Sequence, residues 1–297
     1  MLSKKKFLIL CYLESHKGQK CTQKEVADFN KIFVGTVNKL WNDLEDKGLI
    51  ADKQITDSGI AALEPYRVKR AIFIAAGFGS RLVPITLNTP KPLVRVKGKR
   101  IIDSLLDAVV AAGIEEIIIV RGYLAEQFDQ LKYKYPMIKF VENPLYNESN
   151  NISSVMCVRY LLQNAYVLEA DLLLYNPALI TKYQYSSNYL GVPTAKTDDW
   201  CFYADGEHIK KLSVGGTNCW HMFGISYWNE ADGSRLCSDV EQVFNSPGGK
   251  ERYWDQVALG AYIKNYDVSV RECSFDDIVE IDTFRELKEL DKVYDVK

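Results

Sequence analysis

Residues 72–96 gather the groups in this chain best suited to hold a polyphosphate. An apolar run at 71–75 leads into Ala76-Gly77-Phe78-Gly79-Ser80. Arg81 follows at once, and Lys91 stands between Pro90 and Pro92. Gly77 and Gly79 let backbone N–H groups come close to an anion, so positions 76–80 are read as an anion-binding turn. Arg81 and Lys91 would neutralise the phosphates and stabilise charge that develops on them, which makes this pair the catalytic candidates. Leu82 stands where a dinucleotide-binding turn requires its third glycine, and no Gly-Lys-Ser/Thr follows. The two commonest phosphate-loop patterns are therefore excluded.

Two acids answer these cations. Asp171 follows the apolar run 166–170 and Asp282 follows 277–281, each a strand candidate. Ligands of open α/β sheets sit beyond the carboxyl ends of the strands, where both aspartates and the glycine turn are expected. Mg2+ takes one or two protein carboxylates and completes its shell with phosphate oxygens and water. Asp171 and Asp282 are accordingly the expected metal ligands. Either alone would read as a helix N-cap; opposite a cationic phosphate loop, the metal reading is the better one.

The run through Arg81, Pro84, Thr86, Thr89 and Pro90-Lys91-Pro92, with Glu-Ala-Asp at 169–171, Tyr-Trp-Asp at 253–255 and Glu-Ile-Asp at 280–282, resembles the bacterial CTP:phosphocholine cytidylyltransferases. The resemblance covers the chain from Ala71 onward. It implies that Ala76, Gly77, Phe78, Gly79 and Ser80 hold the triphosphate of CTP, that Asp171 and Asp282 bind Mg2+, and that an aromatic pocket holds choline. Tyr146-Asn147-Glu148-Ser149-Asn150-Asn151 resembles the family's nucleotide-side segment, with Asn150 and Asn151 the best match. Pro92 is the residue usual in the sugar-nucleotide branch, which keeps a sugar 1-phosphate acceptor open.

An ammonium without N–H groups is recognised by aromatic faces, each worth about 0.5–2 kcal/mol. Trp200, Trp220, Trp228 and Trp254 all fall after residue 199, with Tyr203, Tyr227 and Tyr253 nearby in sequence. Trp200, Tyr253 and Trp254 are the expected choline-binding rings and Asp255 the counter-charge. The implied reaction is in-line attack of phosphocholine on the α-phosphorus of CTP, giving CDP-choline and pyrophosphate. A phosphate monoester is already ionised near neutrality, its second pKa being about 6, so no general base is required. Sugar 1-phosphates, phosphoethanolamine and aminoalkylphosphonates remain alternative acceptors. A regulator that keeps a transferase-like domain as a ligand sensor is the alternative from another class.

The elements that must position these groups fall in two parts. Residues 1–64 read as helices at 7–14, 22–29 and 33–47, a short hairpin at 49–55 and a last helix up to Leu63. Val37, Leu40, Trp41 and Leu44 sit at helical spacing, and Thr22 with Glu25 forms a capping box. Leu44 to Ile50 and Ile55 to Gly59 resemble the winged helix-turn-helix of bacterial regulators, which implies DNA as a partner. The third helix and its approach offer Lys31, Lys39, Lys47, Asn38 and Asn42 but also Asp43, Glu45 and Asp46, and no arginine, a poor surface for phosphates. A module that packs on the larger domain or pairs two copies into a homodimer is the other reading. Residues 65–70 are a short linker with little independent motion.

From Ala71 to residue 297, strands at 71–75, 115–120, 138–141, 165–169 and 188–192 alternate with helices at 101–112, 123–134 and 151–163. This predicts an α/β, Rossmann-like nucleotidyltransferase domain with a mixed, mostly parallel sheet. Later strands are expected at 200–204, 207–214, 219–227, 267–273 and 278–281, and helices at 234–244, 253–264 and from 283. Residues 1–70 carry a net charge of +4 within a chain of net −2, which excludes a generally basic nucleic-acid binder. The seven cysteines form no Cys-x-x-Cys pair, so reduced thiols and a cytoplasmic location are expected. No run approaches the length needed to span a membrane.

Overall fold

A computed structural model describes residues 1–295; the last two residues of the expected 71–297 domain lie outside it. The chain divides into two units, residues 1–67 with 183–185, and residues 68–182 with 186 onward.

The first unit runs α1 (Lys4–Ser15), α2 (Gln23–Asn30), α3 (Val34–Asp46), a hairpin of β1 (Ile50–Ala51) and β2 (Gln54–Ile55), and α4 (Asp57–Leu63). Its helices begin where short polar side chains satisfy their free N–H groups. Ser3 accepts from Lys6 N, Thr22 and Glu25 close the capping box, and Thr56 accepts from Gly59 N. Ile9, Leu10, Val26, Val37, Trp41 and Leu44 form its core. Tyr66, expected in a linker, belongs to that core: its ring lies 5.0 Å from Phe7 and stacks on Tyr185 at 5.5 Å.

The second unit holds β3 (Arg70–Ala75), the hairpin β4 (Arg95–Val96) and β5 (Lys99–Arg100), α5 (Ile101–Ala111), β6 (Glu116–Arg121), β7 (Ile138–Glu142) and α6 (Ile152–Val158). It continues with β8 (Ala165–Glu169), β9 (Leu172–Leu174), β10 (Asn188–Asp205), β11 (His208–Trp228), α7 (Glu230–Phe244), β12 (Ser269–Glu272), β13 (Ile278–Glu280) and α8 (Phe284–Leu290). The main sheet has the order β10-β12-β11-β8-β3-β6-β7. Strands β8, β3, β6 and β7 are parallel, and β11 joins β8 antiparallel.

The inner parallel strands β3, β6 and β8 are apolar at their central positions because both faces are covered. Ala71 and Phe73 of β3, Ile117 and Ile119 of β6, and Tyr166 and Leu168 of β8 face the layer of α5. Their alternates Ile72, Ile118, Val120 and Val167 face α6 and α7. One short pairing decides the chemistry. Strand β9 pairs antiparallel with β13, Leu172 opposite Glu280, and Ile281 N donates to Asp171 O at 3.3 Å. The residues just outside this ladder, Asp171 and Asp282, are thereby brought side by side.

Three expected elements differ. The helix at 123–134 is instead 3-10 turns at Ala125–Tyr133, entered through Leu124 in the left-handed region. Its buried residues, Phe128 and Leu131, are three apart, which suits three residues per turn. The helix at 253–264 is replaced by one wide turn, Val257–Ala261, and a 3-10 turn, Ile263–Asn265. Gly260 in its middle is a weak helix former. The separate strands expected between 188 and 227 merge into one long hairpin, β10–β11, whose irregular residues near Thr197–Trp200 are absorbed as bulges.

Candidate active site

The glycine-rich turn follows β3 directly. Gly79 has φ +63°, and a Cβ there would stand 2.9 Å from Lys91 Cβ, so glycine is required on both counts. Nothing lies within 4 Å of a Cβ built on Gly77, whose face is open to the cleft. Thr86 Oγ1 donates to Gly79 O at 2.9 Å and Tyr123 N to Ala76 O at 3.1 Å, which pins the turn from two sides.

Cations and acids interleave here rather than facing one another across the cleft. Lys91 is 7% exposed, and its Nζ donates to Asp171 Oδ2 at 2.6 Å and Asp282 Oδ1 at 3.1 Å. Arg81 forks onto Asp282 through two nitrogens, at 2.9 and 2.8 Å. Burial alone would favour a neutral Lys91 amine; Asp171, then Asp282 and Glu280, outweigh it and hold Lys91 charged well above the usual lysine range. Glu169 and Glu280 complete the cluster. Burial raises the pKa of both well above the carboxylate range, and the charge of Asp171 adds to the effect.

The carboxylate oxygens of Glu169, Asp171 and Glu280 lie within 4.8 Å of one another, as do those of Asp199, Glu280 and Asp282. Asp171 Oδ1 is buried without a hydrogen-bond partner. An orphaned carboxylate oxygen amid surplus negative charge is what a hard divalent cation would satisfy, so these residues fit one.

A single cavity of about 580 Å³ brings together Ala76 to Arg81, Lys91, Asn150, Asn151, Asp171, Trp200, Tyr253, Asp255 and Asp282. Trp200 and Tyr253 meet edge-on at 5.4 Å, and Asp255, which lines the same cavity, accepts from the Tyr189 hydroxyl. Burial lifts the Asp255 carboxyl to about 6, with that hydrogen bond pulling the other way. Asn150 and Asn151, expected on the nucleotide side, line the cavity and bond to the 251–254 segment: Asn151 Oδ1 accepts from Trp254 N at 2.9 Å, and Asn150 Nδ2 donates to Glu251 O at 3.2 Å. Trp254 is the correction. It is 1% exposed and packed against Tyr189 and Trp228 in the core, so its ring does not reach the cleft.

Glu169, Glu280, Asp199 and Gly224 also line this cavity and were not among the expected site residues. A signal for the two glutamates exists in the sequence. Glu-x-Asp occurs at 169–171 and again at 280–282, and residues two apart in an extended segment share a face. Gly224 interrupts an apolar strand, as a glycine does where another group comes close. A Cβ there would lie 2.4 Å from Glu169 Oε2. Asp199 carried no signal beyond its neighbour Trp200.

An anion-binding turn, two cations and a fitted acidic cluster at the carboxyl edge of a parallel sheet define a nucleotidyltransferase site. The nucleotidyl transferase family model matches residues 70–183. The 2-aminoethylphosphonate cytidylyltransferase of Lancefieldella rimae is 35% identical across 75% of this chain and 92% of its own length. The choline-phosphate cytidylyltransferase of Streptococcus pneumoniae is 33% identical across 75% and 97%. The solved structure of the CTP:phosphocholine cytidylyltransferase from Streptococcus pneumoniae superimposes with a TM-score of 0.70 at 34% identity, covering 76% of this chain and 99% of that one. The chain belongs to the cytidylyltransferase family of nucleotidyltransferases. Among the described residues no helix is long and apolar enough to cross a membrane.

Proposed function

We propose that the protein transfers the cytidylyl group of CTP to a small phosphate bearing an ammonium group, phosphocholine being the acceptor the site supports best. The observation that carries this reading is the Trp200–Tyr253 ring pair, which shares one cavity with Asp255, the phosphate turn and the acids. Aromatic faces and a carboxylate in one cavity suit a quaternary ammonium, which has no N–H to donate.

The acceptor's phosphate oxygen attacks the α-phosphorus, the bond to the β-phosphate oxygen breaks, and pyrophosphate leaves. The acceptor arrives ionised, so the chain needs to supply position and charge compensation only. Lys91 and Arg81 face the phosphates, and the glycine turn offers its N–H groups. Asp171 and Asp282, supported by Glu169 and Glu280, would hold Mg2+. When bound, that ion offsets negative charge on the transferring phosphate.

A primary-amine acceptor is the second reading, favoured by Asp199 and Asp255 at the acceptor end and by the likeness to the aminoethylphosphonate enzyme. A primary ammonium donates hydrogen bonds and so uses carboxylates more than rings.

For the first unit we favour a role other than DNA binding. Lys47 on the expected recognition helix pairs with Asp43 at 2.9 Å, and the leading end of α3 exposes Phe33 and Val34 to solvent.

Pyrophosphate release from CTP with Mg2+, measured against phosphocholine, phosphoethanolamine, 2-aminoethylphosphonate and glucose 1-phosphate, tests the reading. Highest kcat/KM with phosphocholine supports it. Preference for either primary amine moves the acceptor to the second reading, and preference for the sugar phosphate overturns both.

A further inference from the structure

Trp200 enters the cavity from a corner in the β10–β11 hairpin. Thr197 pairs with Gly216 and Trp200 with Val214, so three steps along β10 meet two along β11. The extra residue bends the strand, as a bulge does where a side chain has to be re-aimed. Beyond the bend, Asp199 and Trp200 line the cavity. Asp198 and Asp199 are both exposed, so packing does little to fix this corner and hydrogen bonds must decide its shape.

Those hydrogen bonds start on the other face of the sheet. Met222 and Gly224 of β11 line the cavity, so the alternate residues His221 and Phe223 face away from it. The His221 ring lies 5.0 Å from that of Phe223 and 5.3 Å from that of Phe275. Its Nδ1 is 3.0 Å from Thr197 Oγ1. Thr197 Oγ1 also accepts from Asp199 N at 3.2 Å, and Asp199 Oδ1 accepts from Trp200 N at 2.6 Å. A continuous chain of bonds thus runs from the back of the sheet to the backbone of Trp200.

The protons in this chain are consistent with one another. Burial holds the His221 pKa below the ordinary histidine value, against the pull of Asp199. With its proton on Nε2, the neutral ring accepts from the Thr197 hydroxyl at Nδ1, which leaves the threonine oxygen to accept from Asp199 N.

We propose that His221 and Thr197 are positioning residues for the acceptor: from outside the cavity they set the corner that holds the Trp200 ring against Tyr253. The inference rests on the reading that puts Trp200 at the acceptor's ammonium. Attraction between a cation and a ring requires the charge over the ring face within about 6 Å, so a ring left to swing loses affinity.

The test uses the full-length protein: KM for CTP and acceptor, kcat, and calorimetric Kd for phosphocholine and 2-aminoethylphosphonate. Thr197→Val keeps the branched shape and removes the hydroxyl. It should raise acceptor KM and Kd about fourfold, the scale of one hydrogen bond, and leave CTP KM and kcat within about twofold. Thr197→Ser should restore affinity. His221→Phe, which keeps a ring beside Phe223 and Phe275, should match Thr197→Val, and the double variant should be no weaker than either single one. In a Trp200→Ala background, Thr197→Val should have no further effect on the acceptor. Thr197 is half-exposed, so its variants keep the fold, which a thermal melt verifies. Unchanged acceptor affinity in Thr197→Val overturns the proposal, as does an equal rise in CTP KM, failure of Thr197→Ser to restore binding, or a full effect in the Trp200→Ala background. Acceptor affinity lost in Trp200→Ala but kept in Thr197→Val defeats the corner alone. Affinity kept in Trp200→Ala defeats the acceptor reading, and this inference with it.

Discussion

Replacing Lys91 by methionine keeps the length of the side chain and removes one charge from the centre of the acidic cluster. At an effective dielectric constant of about 20, the attraction of Lys91 Nζ to Asp171 at 2.6 Å is about 6 kcal/mol, and to Asp282 at 3.1 Å about 5 kcal/mol. Most of this is cancelled by the cost of taking the three charges out of water. What remains on removal is the penalty of buried acids without a cation, about 3–5 kcal/mol. The lower end applies, because Asp282 keeps Arg81 and both aspartates retain some solvent contact. In the absence of divalent ions Lys91→Met should therefore melt about 6–12 °C below wild type, at 2–4 °C per kcal/mol for a domain of this size. Mn2+ or Mg2+ should raise its melting temperature more than that of wild type, since Asp171 then loses its lysine partner and Asp282 keeps only Arg81. Turnover should fall about 100-fold even with saturating metal, the usual loss for one charge-stabilising group. Differential scanning fluorimetry with and without metal, and initial rates of pyrophosphate release, read the two effects separately. An unchanged melting temperature together with a rate within threefold of wild type would refute the placement of Lys91 at the hub of this network.

Three further substitutions have distinct expected outcomes. Trp200→Ala should raise acceptor KM about fivefold with CTP KM unchanged, as expected for loss of one cation–π face. Trp254→Phe should leave both KM values alone, because that ring packs in the core and its Nε1–H has no partner there; steady-state kinetics on the two variants decides. Gly79→Ala should abolish nucleotide binding in calorimetry, since the turn must hold φ +63° and its Cβ would press on Lys91.

Much of this site was legible in the sequence because its parts are local. The turn from Ala76 to Arg81 needs glycine at 79 for a backbone reason. Asp171 and Asp282 each end an apolar run whose strand character is unambiguous. Trp254 was misplaced through an error of period. Read as the start of a helix, Tyr253-Trp254-Asp255 presents no alternation; in the structure 253 and 255 line the cleft while 254 points into the core. After a brief α-helical start at 255–256 the 253–264 stretch widens at Val257–Ala261 instead of continuing as an α-helix, and that is where the expectation failed. The β10–β11 hairpin was fragmented for a related reason. Bulge residues look like strand ends in a sequence, and only the partner strand reveals that pairing resumes beyond them. The contribution of residues 183–185 to the first unit lay beyond any local signal, since they are over a hundred residues from the rest of that core.

The least legible feature was how the charges would be shared. Sequence logic assigned cations to phosphates and acids to metal, as two separate sets. The fold interleaves them, because the β9–β13 ladder places Asp171 and Asp282 together within reach of Lys91. Each set thus serves as the other's partner until ligands arrive. On the proposed reading a triphosphate would draw on Arg81 and Lys91 while a divalent ion would draw on the aspartates, so the binding of either would weaken the internal pairs that compete with the other. Coupling of this kind is reciprocal by thermodynamic necessity. The affinity of CTP should rise with Mg2+ by the same factor as that of Mg2+ rises with CTP, and the origin of that factor lies in the pairs Lys91 and Arg81 now make.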